Sequence, residues 1–278
     1  MRFASISLDG IENWGAVLED GVALLGHRWP SLRHAIAAGA LAQAATEAKT
    51  ARKVGLSAIK WLPLIADPTK ILCVGLNYED HRKETGRSVV AHPTIFTRFA
   101  DSQTAHGASI LMPTVSDKLD YEGELAVIIG VGGRNIPASV ALNHVAGYSC
   151  YNDGSVRDWQ NHSIQFTPGK NFPETGAFGP WMVTPDEFGP LGPQRLQTRL
   201  NGEVMQDTLL ENMIFSVPTI IEYVSTFTQL SPGDVIVSGT PGGVGAKRTP
   251  PVFMKVGDRV EIEIDGIGIL ENKIARAS

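Results

Sequence analysis

The sequence predicts an α+β chain that is predominantly β, with a small N-terminal α+β unit over residues 1–68 and a larger unit over 69–278. Three observations lead there. From about Ile71 onward the short apolar runs ILCVGL, ELAVIIGVG, VAGYSCY, PWMVT, LQTRLNGEVM, DVIVSG and RVEIEIDGIGIL follow one another, separated by Gly and Pro, as strands do. Among them LENMIFSVPTIIEYVSTF has the mixed periodicity of a helix, beginning near Ser216 and Pro218. The runs do not alternate regularly with helical segments, which disfavours a doubly wound parallel sheet.

Taken in order, residues 1–26 alternate apolar runs with Asp-Gly turns and predict a small antiparallel unit. Residues 31–53, SLRHAIAAGALAQAATEAKTARK, predict a helix capped by Ser31. WLPLIADPTK, with two prolines, reads as a linker. The 278 residues are 43% hydrophobic, ample for a packed core, and the net charge of -5 comes without a basic stripe, so nucleic acid is not an expected partner. No apolar run approaches the roughly 20 residues of a spanning helix, and MRFASISLDG lacks a signal-peptide pattern; the expectation is a cytoplasmic protein that does not enter a membrane. Cys73 and Cys150 lie far apart inside apolar runs and are expected to be buried thiols.

The chemistry concentrates in DYEGELAVIIG. Side chains alternate along a strand, so Asp120, Glu122 and Glu124 should project to one side, where like charges repel unless something compensates them. A solvated strand end and a bound cation both answer that. YNDGSVRDWQ adds Asp153, and Glu122, Glu124 and Asp153 would form an all-oxygen set suited to Mg²⁺ or Mn²⁺; an Asx-turn or helix cap is the other reading of Asp153. Phosphate loops fail on spacing, since VIIGVGGRN has Asn135 where a third glycine belongs and SGTPGGVGAK lacks the Walker ending. Neither GxSxG nor HExxH occurs.

DYEGELAVIIG, YNDGSVRDWQ, GKNFPETGAFGPW, LNGEVMQD, VIVSGTPGGVG and VGDRVEIEIDGIGILEN, in this order, resemble the fumarylacetoacetate hydrolase family over about residues 70–274. The resemblance implies a mixed β-sandwich roll with a small N-terminal domain, a homodimer, and a divalent metal on Glu122, Glu124 and Asp153. It implies that His81 and Glu84, three apart in LNYEDHRKE and neighbours on one face of a helix, form a lid dyad in which the carboxylate orients the imidazole as general base. Lys170 would face the substrate, and Thr240, Gly239 and Tyr78 would bind it. Asp120 is expected in an outer or structural role, and His92, His106, His144 and His162 are taken as structural. Two departures stand out: Gly154 in NDGSVRD, expected to loosen the backbone beside a ligand, and PETGAFGP after Lys170, expected to alter a substrate wall. The implied activity is hydrolysis of a carbon–carbon bond in an acylpyruvate or 1,3-diketo acid, such as fumarylpyruvate, maleylpyruvate or fumarylacetoacetate, in aromatic catabolism. The same metal site would also suit an oxaloacetate decarboxylase or a dienoate isomerase.

Overall fold

The computed structural model describes residues 1–88 and 90–277. Its centre is the strand Gly123–Ile129, buried at every position. That strand pairs antiparallel with Val145–Asn152 on one side and Val235–Val237 on the other, inside a twelve-stranded mixed sheet. An unbroken apolar run such as LAVII needs cover on both faces, and it has it. On one face Leu125, Val127 and Ile129 pack against a five-stranded sheet through Leu196, Leu200, Ile262, Ile264 and Leu270, and against Ile220, Ile221 and Val224 of the helix Val217–Phe227. On the other face Ala126 and Ile128 meet Leu32, Ala35, Ile36 and Ala44 of the N-terminal helices. The result is the expected mixed sandwich, and among the described residues the strands form no closed barrel.

Residues 1–68 supply that second cover. The strand Arg2–Leu8 pairs with Gly176–Val183, so the N-terminal strands continue the large sheet. The helix expected over 31–53 is instead two, Leu32–Ala37 and Leu41–Glu47. Ser31 does cap the first, accepting from the His34 amide; Gly39, at φ +63°, ends it, because a left-handed residue cannot continue a right-handed helix. The helix expected from Ser216 forms as read, capped by the Ser216 hydroxyl on the Thr219 amide. Cys73 and Cys150 are buried and unbridged. Among the described residues no helix is long and apolar enough to cross a membrane.

Candidate metal centre and its cavity

The acids meet because of register. Gly123 pairs with Asn152, and just beyond the ladder the Asp153 amide donates to the Glu122 carbonyl at 2.8 Å, which sets Asp153 across from Glu122. One oxygen from each of Glu122, Glu124 and Asp153 lies within 4.8 Å of the others, and all three residues are buried. The sequence alternation misled in one respect, since the strand breaks between Asp120 and Gly123. Asp120 turns away from the cluster: its carboxylate accepts from the amides of Tyr121, Gly245 and Ala246 and from Arg157 Nε at 2.8–2.9 Å.

Burying carboxylates this close is costly unless cations or donors attend them. Arg98 Nη1 and Lys170 Nζ each reach Asp153 at 2.6 Å, and Lys170 also reaches Glu122 at 2.6 Å. Arg157 Nη2 lies 2.7 Å from the other Glu122 oxygen. Burial pushes the Glu122 carboxyl up, but Lys170 and Arg157 outweigh it and hold it below the usual range. Burial also opposes the charge on Lys170, yet Asp153 and Glu122 raise it and keep the ammonium. Glu124 differs. Its one donor among the described residues is the Gly239 amide, and burial, with Asp153 and Glu122 adding, pushes its carboxyl well up. A buried three-carboxylate set in which one member, Glu124, makes no ion pair among the described residues fits a hard divalent cation.

His81 stands on the helix Glu79–Thr85, and its Nδ1 lies 2.7 Å from Glu84 Oε1, as the three-residue spacing requires. The other Glu84 oxygen accepts from the Gly243 amide at 2.9 Å, clamping the dyad to the loop that follows Thr240. The chain enters this helix through Leu76, a non-glycine residue at φ +60°, and Asn77, whose amide donates to the carbonyls of Phe215 and Ser238. His81, Glu122, Glu124, Lys170 and Thr240 line one cavity of about 340 Å³.

The remaining expectations fare unevenly. The Thr240 hydroxyl donates to the Gly123 carbonyl and accepts from Gln206 Nε2, so within the chain it is already engaged. The Gly239 amide goes to Glu124. Tyr78 is buried and borders a neighbouring cavity beside Glu84 rather than the one holding the acids. Lys170 is fully buried at the acids. Gly154 does not loosen the backbone: a Cβ there would stand 2.0 Å from the Thr175 carbonyl oxygen, so the glycine permits a close approach. Sequence reasoning missed Arg98 and Arg157. Arg157 lies inside YNDGSVRDWQ and could have been read as a counter-charge to the acids; Arg98 meets Asp153 from 55 positions away, and no local pattern marks it.

Residues 70–275 match the profile of the fumarylacetoacetate hydrolase C-terminal family. An oxaloacetate tautomerase of Bos taurus, described as mitochondrial, is 41% identical over 220 residues, covering 78% of this chain and 70% of that protein. Among solved structures, the fumarylacetoacetate hydrolase of Exiguobacterium antarcticum superposes with a TM-score of 0.89 at 34% identity over the whole of both chains. A 5-carboxymethyl-2-hydroxymuconate delta-isomerase of Mycobacterium smegmatis does so with a TM-score of 0.80 at 29% identity, again over both full lengths.

Proposed function

The chain belongs to the fumarylacetoacetate hydrolase family, and from that premise we propose that it is a divalent-metal enzyme that moves a proton at the carbon beside the ketone of a short 2-oxo acid, as in keto–enol tautomerisation of oxaloacetate. The observation that carries this is His81, held by Glu84, lining the same cavity as Glu122 and Glu124, the two glutamates whose carboxylates cluster with that of Asp153. Mg²⁺ or Mn²⁺ on those three acids would supply Lewis-acid polarisation of the 2-oxo group. The chain's own residues do the rest. Glu84 fixes the ring by accepting from Nδ1–H, which leaves Nε2 as the base. Nε2 takes a proton from the carbon beside the ketone and returns it to the ketone oxygen, so keto acid becomes enol with no atom gained or lost. Lys170, held as an ammonium at the floor, stabilises negative charge on that oxygen.

A second reading, hydrolysis of an acylpyruvate or fumarylacetoacetate, is favoured by the whole-length likeness to the Exiguobacterium hydrolase. There His81 would deprotonate water for attack on the distal carbonyl, and pyruvate or its equivalent would leave. The test follows enol absorbance in the ultraviolet together with pyruvate release, for oxaloacetate, acetylpyruvate, fumarylpyruvate, maleylpyruvate and fumarylacetoacetate. Metal-dependent loss of the oxaloacetate enol signal with no loss of total oxaloacetate supports tautomerisation; stoichiometric pyruvate from an acylpyruvate, or fumarate with acetoacetate from fumarylacetoacetate, supports hydrolysis, and pyruvate from oxaloacetate reports decarboxylation instead. Neither response to any of the five removes both readings. We place the enzyme in the cytoplasm as a homodimer, which fractionation of the native host and analytical ultracentrifugation check; the mammalian relatives carry a mitochondrial location in their names.

A further inference from the structure

A base works only if its ring is held in place, and His81 is held by Glu84, whose Oε1 meets Nδ1 while Oε2 accepts from the Gly243 amide. Among the described residues Glu84 has no other hydrogen-bond or ion-pair partner. The setting of the imidazole above the floor acids Glu122 and Glu124 is thereby passed to one residue of the loop after Thr240. Gly243 has no side chain by which it could be anchored, so its carbonyl has to be held instead.

Two groups hold that carbonyl. The Tyr121 hydroxyl donates to it at 3.2 Å and Arg248 Nε at 3.3 Å. Arg248 also reaches further, since its Nη2 donates at 2.7 Å to the Met205 carbonyl on the strand Glu203–Leu209. One guanidinium therefore fastens the loop to the strand, and a charged donor holds a carbonyl more firmly than a neutral one. The arginine rises from fixed backbone: its amide donates to the Gly245 carbonyl at 3.2 Å, and Asp120 holds the Gly245 amide. The loop in turn lies against the helix of the base, because a Cβ on Gly242 would stand 3.2 Å from Asp80 Cβ and 3.4 Å from the His81 amide nitrogen. Among the described residues no carboxylate lies within ion-pair distance of Arg248, and neither Arg248 nor Tyr121 lines the cavity of the acids.

We infer that Arg248 is a positioning residue for the base: through the Gly243 carbonyl it fixes the amide that Glu84 accepts, and through Glu84 it sets the direction of His81 Nε2. Tyr121 supports the same carbonyl. This rests on the functional reading above, in which His81 is the base, and it adds a residue that acts only through others. A fastening that merely kept the loop on the strand would alter stability and leave the ring where it is.

Two readouts separate those roles. The first needs no substrate: in the full chain carrying isotope-labelled histidine, the proton on His81 Nδ1, identified by its absence in His81→Ala, reports the bond to Glu84 by nuclear magnetic resonance. Arg248→Ala should move or broaden that signal toward what Glu84→Ala shows, and Arg248→Lys, which keeps a charged donor, should move it less. The second is turnover of oxaloacetate enol in saturating Mg²⁺. Arg248→Ala should lower kcat roughly tenfold, short of the ~10²-fold that a displacement of about 1 Å can cost, with KM and oxalate affinity near wild type. In a Glu84→Ala background the same substitution should cost nothing further, because residues acting through one link are not additive. An equal loss in both backgrounds, or an unmoved His81 proton in Arg248→Ala, overturns the positioning role and leaves the dyad intact. If urea titration shows Arg248→Ala unfolded, Arg248→Lys and Tyr121→Phe carry the same comparisons with smaller shifts, and no shift in either overturns the role as well. A His81→Ala enzyme with near wild-type turnover overturns the functional reading, and the positioning role with it.

Discussion

Asp120 and Glu124 are buried carboxylates four residues apart on one segment, and the protein surrounds them in opposite ways. Asp120 meets Arg157 and three backbone amides, which fill its acceptor positions. Glu124 meets one amide and two other carboxylates, and burial pushes its carboxyl well up. The same chemical group, a buried carboxylate, is thereby an anchor in one place and, on the proposed reading, a metal ligand in the other. Burial alone does not separate the two roles; the charge and number of partners do.

The comparison is broken most directly at Glu124. Glu124→Ala, like Glu122→Ala or Asp153→Ala, should abolish metal binding measurable by calorimetry and bring turnover to background. Chelator treatment of the wild type should do the same, with recovery on adding Mg²⁺ or Mn²⁺. Because a metal bound to the folded state alone stabilises it by mass action, saturating Mg²⁺ should also raise the wild-type Tm and leave that of Glu124→Ala unmoved. Full activity in a demonstrably metal-free preparation would remove the floor as a metal centre.

The next effect in size tests whether the wall acts separately from the floor. His81→Ala should lower kcat by about 10² to 10⁴-fold, the range for a general base, while oxalate and metal affinity stay near wild type. Glu84→Gln should cost less, about tenfold, since it disturbs the orientation of the imidazole and leaves the base in place. A His81→Ala enzyme with near wild-type turnover would take the dyad out of the reaction.

What the sequence could show divides along the same line between local and remote partners. The dyad was legible through the family resemblance and because two residues three apart on one helix carry it, and the acid cluster because the i, i+2 spacing of Glu122 and Glu124 survives the break before Gly123. Ser216 as a helix cap was legible for the same local reason. Asp120 was only half legible: alternation put it with the ligands, and the break after it, which turns it toward Gly245 and Ala246, depends on a loop 125 residues away. Arg98 was invisible, since a lone arginine on a strand says nothing of an acid 55 positions on. Gly154 was misjudged because freedom is what a glycine suggests in a sequence, and the close Thr175 carbonyl is a fact of packing.

The smallest effect sharpens the comparison from the anchor side. Asp120→Asn keeps the shape of the side chain and one carbonyl oxygen, but replaces the second acceptor with an NH₂ that cannot receive an amide or Arg157 Nε. If the NH₂ takes the place of Oδ2, the Ala246 amide and Arg157 Nε both lose a partner; if it takes the place of Oδ1, the Tyr121 and Gly245 amides do. Removing one side of a buried ion pair costs about 3–5 kcal/mol, but Arg157 retains Glu122, so a loss nearer 1–3 kcal/mol is expected, the usual cost of a buried donor left unpaired. That should appear in urea titration as a lower midpoint at unchanged slope. Metal affinity should fall far less than in Glu124→Ala, because Asp120 contributes no oxygen to the cluster, and any drop should come through Arg157 leaning more heavily on Glu122. If calorimetry instead shows Asp120→Asn losing metal as completely as Glu124→Ala, the division into anchor and ligand is wrong, and the four acids act as one site.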